Sequence, residues 1–434
     1  MAGSDAKARA SALVHLTFMD LLGLPKEVTL PGERLGAALE RGVAFDGSAL
    51  EGFARTAEAD MRLRPDPGSR ARLVPLPGRE EGGHERLVCD IVLPDGRPYD
   101  GCPRSLLRRQ AEALALAGLR LDVGAEAEFF LLPAGADAGS LEAPTEAAGY
   151  FDATRSSAAE AARGELVLAL GGMGVAVEAS HHEVAPAQHE IDLAPTGALA
   201  LADAVATLRW LARATVPARG LRATFMPKPF GGLSGSGLHL SLSLPGAGPE
   251  RSQAFAAGIL AHAAALCAVA NPIVNSYKRL VPGYEAPLYA TWARRHRSPL
   301  VRVVGLEADD DARARDADAL RIEYRGPDSA ANPYLLLAAI IGCGLDGVAR
   351  GLVLPPPVEE SPSRLLGEER RRRGIRRLPH DLRAALDALA GDGVVSSALG
   401  ERVVQHLLEA RAIEWEIYQE TVHAWEREQY LDSL

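Results

Sequence analysis

The sequence predicts an α+β fold built on a predominantly antiparallel sheet, and three observations carry that reading. Short strand-like stretches and helix-spaced apolar stretches both recur along the chain. They are mixed without the strand–helix–strand rhythm of a doubly wound sheet, and no internal repeat is visible. The 434 residues, 47% of them hydrophobic and 24% charged, are enough for a large core and more than one domain.

Composition narrows the partners. A net charge of -10 argues against nucleic acid or an anionic membrane. The one basic exception, residues 368–377, reads as a solvated helical surface or loop. The polar start shows no apolar signal segment, and the weakly polar run 256–270, interrupted by His262, is shorter than a bilayer span. Cys89, Cys102, Cys267 and Cys343 have neither metal-type nor redox-type spacing, and Cys267 and Cys343 read as small core residues. The expected setting is cytoplasmic.

Taken in order, residues 12–100 form a small α+β unit, with strands over 14–19 and 87–93 and turns at Pro65-Asp-Pro-Gly and Pro94-Asp-Gly. A linker at 98–103 divides the chain into domains 1–100 and 101–434. The pattern then gives a helix over 104–117, with Ser105 near its start, and a strand over 119–132. A helix over 158–173 leads into the extended stretch 175–193. Helices follow near 198–218, 251–270 and 332–348, with a strand over 321–325. Residues 401–431 read as one long amphipathic helix carrying Trp415, Tyr418 and Trp425.

The chemistry lies in the acidic residues of these strands. Glu126 and Glu128 are two apart, so both leave one face. Glu183 and Glu190 are seven apart, an odd spacing that requires Pro186 to break or bulge the strand if both are to face one site. Arg321, Glu323 and Arg325 alternate on one face, opposite Ile322 and Tyr324. His239 closes a loop rich in glycine, where backbone can approach a ligand. Five carboxylates converge only where cations neutralise them. Oxygen donors with an occasional imidazole suit hard divalent cations, so these six side chains supply two metal sites. Arg279, Arg297 and Arg302 surround Gly283-Tyr-Glu285-Ala-Pro, a loop with a glycine hinge. Arginines beside two metals describe phosphoryl transfer.

Several stretches then fall into one order: Phe45-Asp-Gly-Ser-Ala-Leu-Glu-Gly-Phe, Gly124-Ala-Glu-Ala-Glu-Phe-Phe, Val177-Glu-Ala-Ser-His-His-Glu-Val, Gln188-His-Glu-Ile-Asp, Thr224-Phe-Met-Pro-Lys-Pro, Gly235-Ser-Gly-Leu-His, Asn275-Ser-Tyr-Lys-Arg and Arg321-Ile-Glu-Tyr-Arg. With them the chain resembles the class I glutamine synthetases along nearly its whole length. The resemblance implies a β-grasp-like N-terminal domain, a catalytic domain with a curved sheet flanked by helices, and a ring-shaped dodecamer with active sites between subunits. It implies ATP, Mg2+ or Mn2+, L-glutamate and ammonium. By matching position, Glu128, Glu183 and Glu190 would hold one metal, and Glu126, His239 and Glu323 the other. Arg279, Arg325 and the Gly235 backbone would bind glutamate, and Arg297, Arg302 and Arg321 would face the ATP phosphates, with Glu178, Ser241 and Ser243 at the nucleotide. Asp46 of a neighbouring subunit would deprotonate ammonium in a pocket lined by Tyr150 and Glu183, under a flap carrying Glu285.

Departures from the family pattern gather in the substrate pockets. Ser234 stands where the family has asparagine, Ala49 replaces a serine, and Ala194, Pro195 and Ser241 replace residues near the nucleotide. No adenylylation tyrosine is evident near 361–366, while Arg55 matches an arginine of feedback inhibition. Two other readings therefore stand beside glutamine synthesis: a γ-glutamyl ligase for another small amine or polyamine, and a non-catalytic ring-forming paralogue.

Overall fold

In the computed structural model, residues 13–47, 60–73, 83–135, 142–144, 148–153, 157–305 and 320–434 are described. Ala49 and Arg55 lie outside them.

Strand β1 (Leu13–Met19) alternates poorly, because both its faces are covered, and it pairs antiparallel with β2 (Pro25–Pro31) and parallel with β6 (Glu85–Val92). Antiparallel β4 (Asp60–Pro65) and β3 (Val43–Asp46) extend the sheet in the order β2-β1-β6-β4-β3, and β5 (Ala71–Arg72) adds to β6. Asp46 is thus exposed at the end of an outer strand.

The second sheet holds β7 (Asp122–Pro133), β8 (Val177–His182), β9 (Gln188–Gly197), β10 (Leu221–Thr224), β11 (Leu238–Ser243), β12 (Trp292–Ala293), β13 (Val301–Val304) and β14 (Arg321–Tyr324). Its order is β12-β13-β14-β11-β7-β9-β8, with β10 on β7, and among the described residues only the β12–β13 pair is parallel. The mainly antiparallel expectation therefore holds. On β7, Val123, Ala125, Ala127 and Phe129 are buried toward the core, which leaves Glu126 and Glu128 on the opposite face. The core face packs against the helix Ala198–Thr215. Behind it runs the helix Pro333–Arg350, long and apolar enough by composition to cross a membrane but 67% buried inside the protein. Close packing is achieved through glycine there: a Cβ on Gly344 would lie 2.1 Å from the Phe255 ring.

Two networks join the sheets. Arg104 donates to Asp203 at 2.9 and 2.8 Å, to Asp90 at 3.1 Å and to Asp66 at 2.7 Å. Asn332 caps the helix Pro333–Arg350 and donates to the carbonyls of Asp20 and Leu21.

Several expectations change. The break at Pro186 is a hairpin: β8 ends at His182 and β9 begins at Gln188, with Ala187 at φ 59. The 251–270 helix is two, Gly248–Ala261 and Ala263–Ala270, bent by 75° at His262. His262 bonds Asp392 at 2.7 Å and Asp346 at 3.0 Å, and these tertiary partners accompany the bend. The C-terminal helix is also two, Glu401–Glu420 and Ala424–Tyr430. Thr421 turns extended, and His423 with Glu426 forms a capping box that starts the second. Ser105 is not the cap of its helix, which begins at Pro103 after Cys102. The basic run is a solvated helix, as expected, with Arg373 bonded to Glu369 and Glu360.

Candidate active site

Strand register gathers the acids. His239 lies opposite Glu126 across β11–β7, Glu128 opposite Glu190 across β7–β9, and His181 opposite Glu190 across β8–β9. Glu323 on β14 faces Ser241 on one side and Arg302 on the other. Because antiparallel neighbours point to one face, side chains from six strands converge.

Among the described residues, two groups bring ligand-type atoms within 4.8 Å of one another: Glu126, His239 and Glu323, and His181, Glu190 and Asp192. The first is the trio expected at one metal. In the second, His181 and Asp192 stand where Glu128 and Glu183 were expected beside Glu190.

In the first group, His239 Nδ1 sits 3.1 Å from Glu126 Oε2, and Nε2 is 3.9 Å from Glu128 Oε1. The His239 bond holds the Glu126 carboxyl down at about 2. Burial works to raise Glu323, but Arg325 outweighs it and keeps the carboxyl below its ordinary range. Arg325 and Arg302, the latter at 2.8 Å, each take one Glu323 oxygen.

On the second side the carboxyls outnumber the imidazole facing them, His181, which Glu190 pulls up to about 9. Burial, reinforced by Glu128, pushes Glu183 up to about 7, with Glu285 adding repulsion. Burial likewise pushes Glu190 up, against the pull of His181 at 3.2 Å, with Glu128 and Glu183 adding repulsion. Carboxyls raised this way are buried beside like charges that one imidazole does not offset. Hard oxygen donors, one imidazole and surplus negative charge fit divalent cations.

The glycine loop is bolted to Glu128. Gly237 N donates to its carboxylate at 2.9 Å, Gln188 Nε2 does the same at 2.9 Å, and Ser329 Oγ bonds the carbonyls of both Glu128 and Gly237. A Cβ at Gly237 would stand 2.9 Å from Arg279 and His239 and 3.1 Å from Glu128, and one at Gly235 only 2.3 Å from the Pro227 carbonyl. Gln188, Gly237 and Ser329 were not singled out from sequence, although the first two lie inside the quoted motifs.

Arg279 is buried, with Nη1 on the Gly326 carbonyl at 3.1 Å. Arg325 Nε is buried without a hydrogen-bond partner among the described residues. Tyr150 stands edge-on to His181 at 5.6 Å, and burial with Glu183 raises its phenol while Arg297 pulls it down. Glu285, at φ 39, shares with Arg297 a cavity of about 700 Å³. Its loop is anchored by the Lys228 ammonium, 3.6 Å from the centre of the Tyr284 ring. Ser243 faces Arg321 across β11–β14, Arg321 is exposed, and Glu178 is exposed on β8 near Asp192. Asp46 does not join this cluster: it is exposed on the outer strand of the other sheet.

Comparison with known proteins decides the family. The pattern of the glutamine synthetase catalytic domain matches residues 100–430, and that of the glutamine synthetase β-grasp domain matches residues 11–94. The chain belongs to the glutamine synthetase family. The glutamine synthetase of Thermus thermophilus is 43% identical over 433 residues, covering 96% of this chain and 95% of that one. That of Methanosarcina mazei is 40% identical, covering 99% and 96%. A solved GmaS/ADP complex superposes with a TM-score of 0.85 at 30% identity over 99% of both chains. The Plasmodium falciparum glutamine synthetase shares the fold, with a TM-score of 0.83 at 24% identity. This glutamine synthetase-family chain is thus a ligase of glutamine biosynthesis and nitrogen metabolism, from a family that generally uses ATP and divalent metals.

Proposed function

We propose that the protein joins ammonia to the γ-carboxylate of L-glutamate at the cost of ATP, through γ-glutamyl phosphate. The observation that carries this is the tight trio of Glu126, His239 and Glu323 with Arg302 and Arg325 on Glu323, beside a second, charge-frustrated carboxylate group. A relative of the same fold solved with ADP supports a nucleotide substrate.

Glu126, His239 and Glu323 would hold one divalent cation, and Glu128, Glu183 and Glu190 another. Bound there, Mg2+ or Mn2+ offsets charge on phosphoryl oxygens. Arg279, Arg325 and the Gly235 backbone hold glutamate, while Glu178, Ser241 and Ser243 border the nucleotide. A γ-carboxylate oxygen bonds to the terminal phosphorus as the bridging P–O bond breaks, releasing ADP. Arg297, Arg302 and Arg321 counter the developing charge. Ammonium enters between Tyr150, Glu183 and Asp46 of a neighbouring subunit, and a carboxylate takes its proton. Ammonia attacks the acyl carbon and phosphate leaves. The Glu285 flap keeps water from that intermediate.

The test is ATP- and glutamate-dependent phosphate release with ammonium against a panel of alkylamines and polyamines. Release with ammonium at millimolar levels is expected. Release only with an organic amine would replace ammonia as the acceptor, and none with either would leave a ring-forming paralogue.

A further inference from the structure

A cavity of about 400 Å³, separate from the carboxylate cluster, lies between the β1–β2 turn, the helix Ala198–Thr215 and the segment 223–227. Three arginines line it, Arg209, Arg213 and Arg411, and among the described residues no carboxylate does. Arg209 is 4% exposed, and its Nη2 is buried without a hydrogen-bond partner among the described residues. The Nε of Arg411, itself 8% exposed, is in the same condition, although its Nη1 bonds Glu414 at 2.6 Å and Nη2 the Leu22 carbonyl at 3.5 Å. Asp328 is the carboxylate whose field reaches Arg209, but its oxygens are taken by Asn271 at 3.1 Å and the Ala330 amide at 2.9 Å.

The Arg209 guanidinium lies 6.0 Å from the centre of the Phe225 ring and is ion-paired with no carboxylate among the described residues, and the cost of burying such a cation falls when an anion stands beside it. Phe225 and Leu22 give the rest of the lining an apolar character. We infer that this cavity is a binding site for a small organic-acid anion, held by carboxylate on Arg209 and Arg411 with Arg213 at the exposed rim. The site shares walls with the carboxylate centre: Pro227 accepts from Ser236 N at 2.8 Å, and Ser329 bonds Glu128.

Thermal unfolding and calorimetric titration of the full chain with glutarate test this, with sodium chloride at equal ionic strength, inorganic phosphate and 1,5-pentanediol as comparison arms. Glutarate is expected to raise Tm saturably by about 2 °C or more. Arg209→Met should bind it about tenfold or more weakly, while being no less stable than the parent without anion, because it removes an unpaired buried charge. Arg213→Met, at the exposed rim, should weaken binding without affecting folding. No rise beyond the chloride control overturns the proposal. So does an equal rise in parent and both variants, which would mean binding at the glutamate pocket. A rise with phosphate alone overturns the organic-acid class.

Discussion

At the scale of single residues, the site is a set of charges arranged so that each needs the next. Glu323→Ala removes a donor from the tight trio and strands Arg302 and Arg325, so phosphate release should fall roughly a hundredfold or more. Near-normal turnover in that variant would refute the ligand reading. Glu183 predicts a pH effect with a definite sign. Its folded pKa of about 7 lies above the ordinary 4.5, so the folded, metal-free protein holds a proton that the unfolded chain releases. Stability of chelator-treated protein should therefore fall as pH rises from about 4.5 through 7, by roughly 3 kcal/mol from this group. Adding Mg2+ should flatten that slope, and denaturant titrations at several pH values with and without the metal would measure it. Gly237→Ala should reduce kcat while leaving a cooperative melt, since the added methyl meets Arg279, His239 and Glu128. The acids were legible in sequence through their period-two spacing. The reason for Gly237 was not, because Arg279 comes from 42 positions further on and meets it only in the folded chain.

At the scale of elements, β7 and β14 could be read because one face is apolar and the other charged, and the period is local. Strand β11 could not be separated from its glycine loop, since His239 is only its second residue. The two-residue β12 is too short to leave a pattern. The bend at His262 was hidden because its partners Asp346 and Asp392 lie 84 and 130 positions away. Pro186 did signal a break, but whether that became a bulge or a hairpin depended on β8 finding β9. The Arg104 network is the element-scale joint most open to test. Arg104→Ala would leave Asp90, 3% exposed, without its buried ion-pair partner, so about 3–5 kcal/mol of stability should disappear in urea unfolding. A loss under about 1 kcal/mol would mean that Arg108, 3.1 Å from Asp90, takes over.

At the scale of the whole molecule, two features point outward. Asp46 sits exposed on the edge of the N-terminal sheet, and Ile413, Ile417, Val422, Trp425 and Leu431 are exposed on or beside the C-terminal helices. Apolar side chains gathered at one end of a chain favour contact with another chain. If Asp46 serves a neighbour's site, Asp46→Asn and Glu323→Ala should each be inactive alone but regain part of the activity when subunits are dissociated and mixed. Sedimentation of each preparation would check that both assemble. Mixtures that stay inactive while co-assembling would confine each site to one chain.

The long closures that build this centre also set when it can exist. The His239–Glu126 contact spans 113 positions and the Ser329–Glu128 bond spans 201. Contacts of such separation close late, because loop entropy is lost before they form. During refolding, helical signal should therefore return well before divalent-cation affinity does. A nascent chain that has not yet made β14 carries most of the acids but lacks Glu323, so cation binding at the Glu126, His239 and Glu323 trio marks the arrival of that strand.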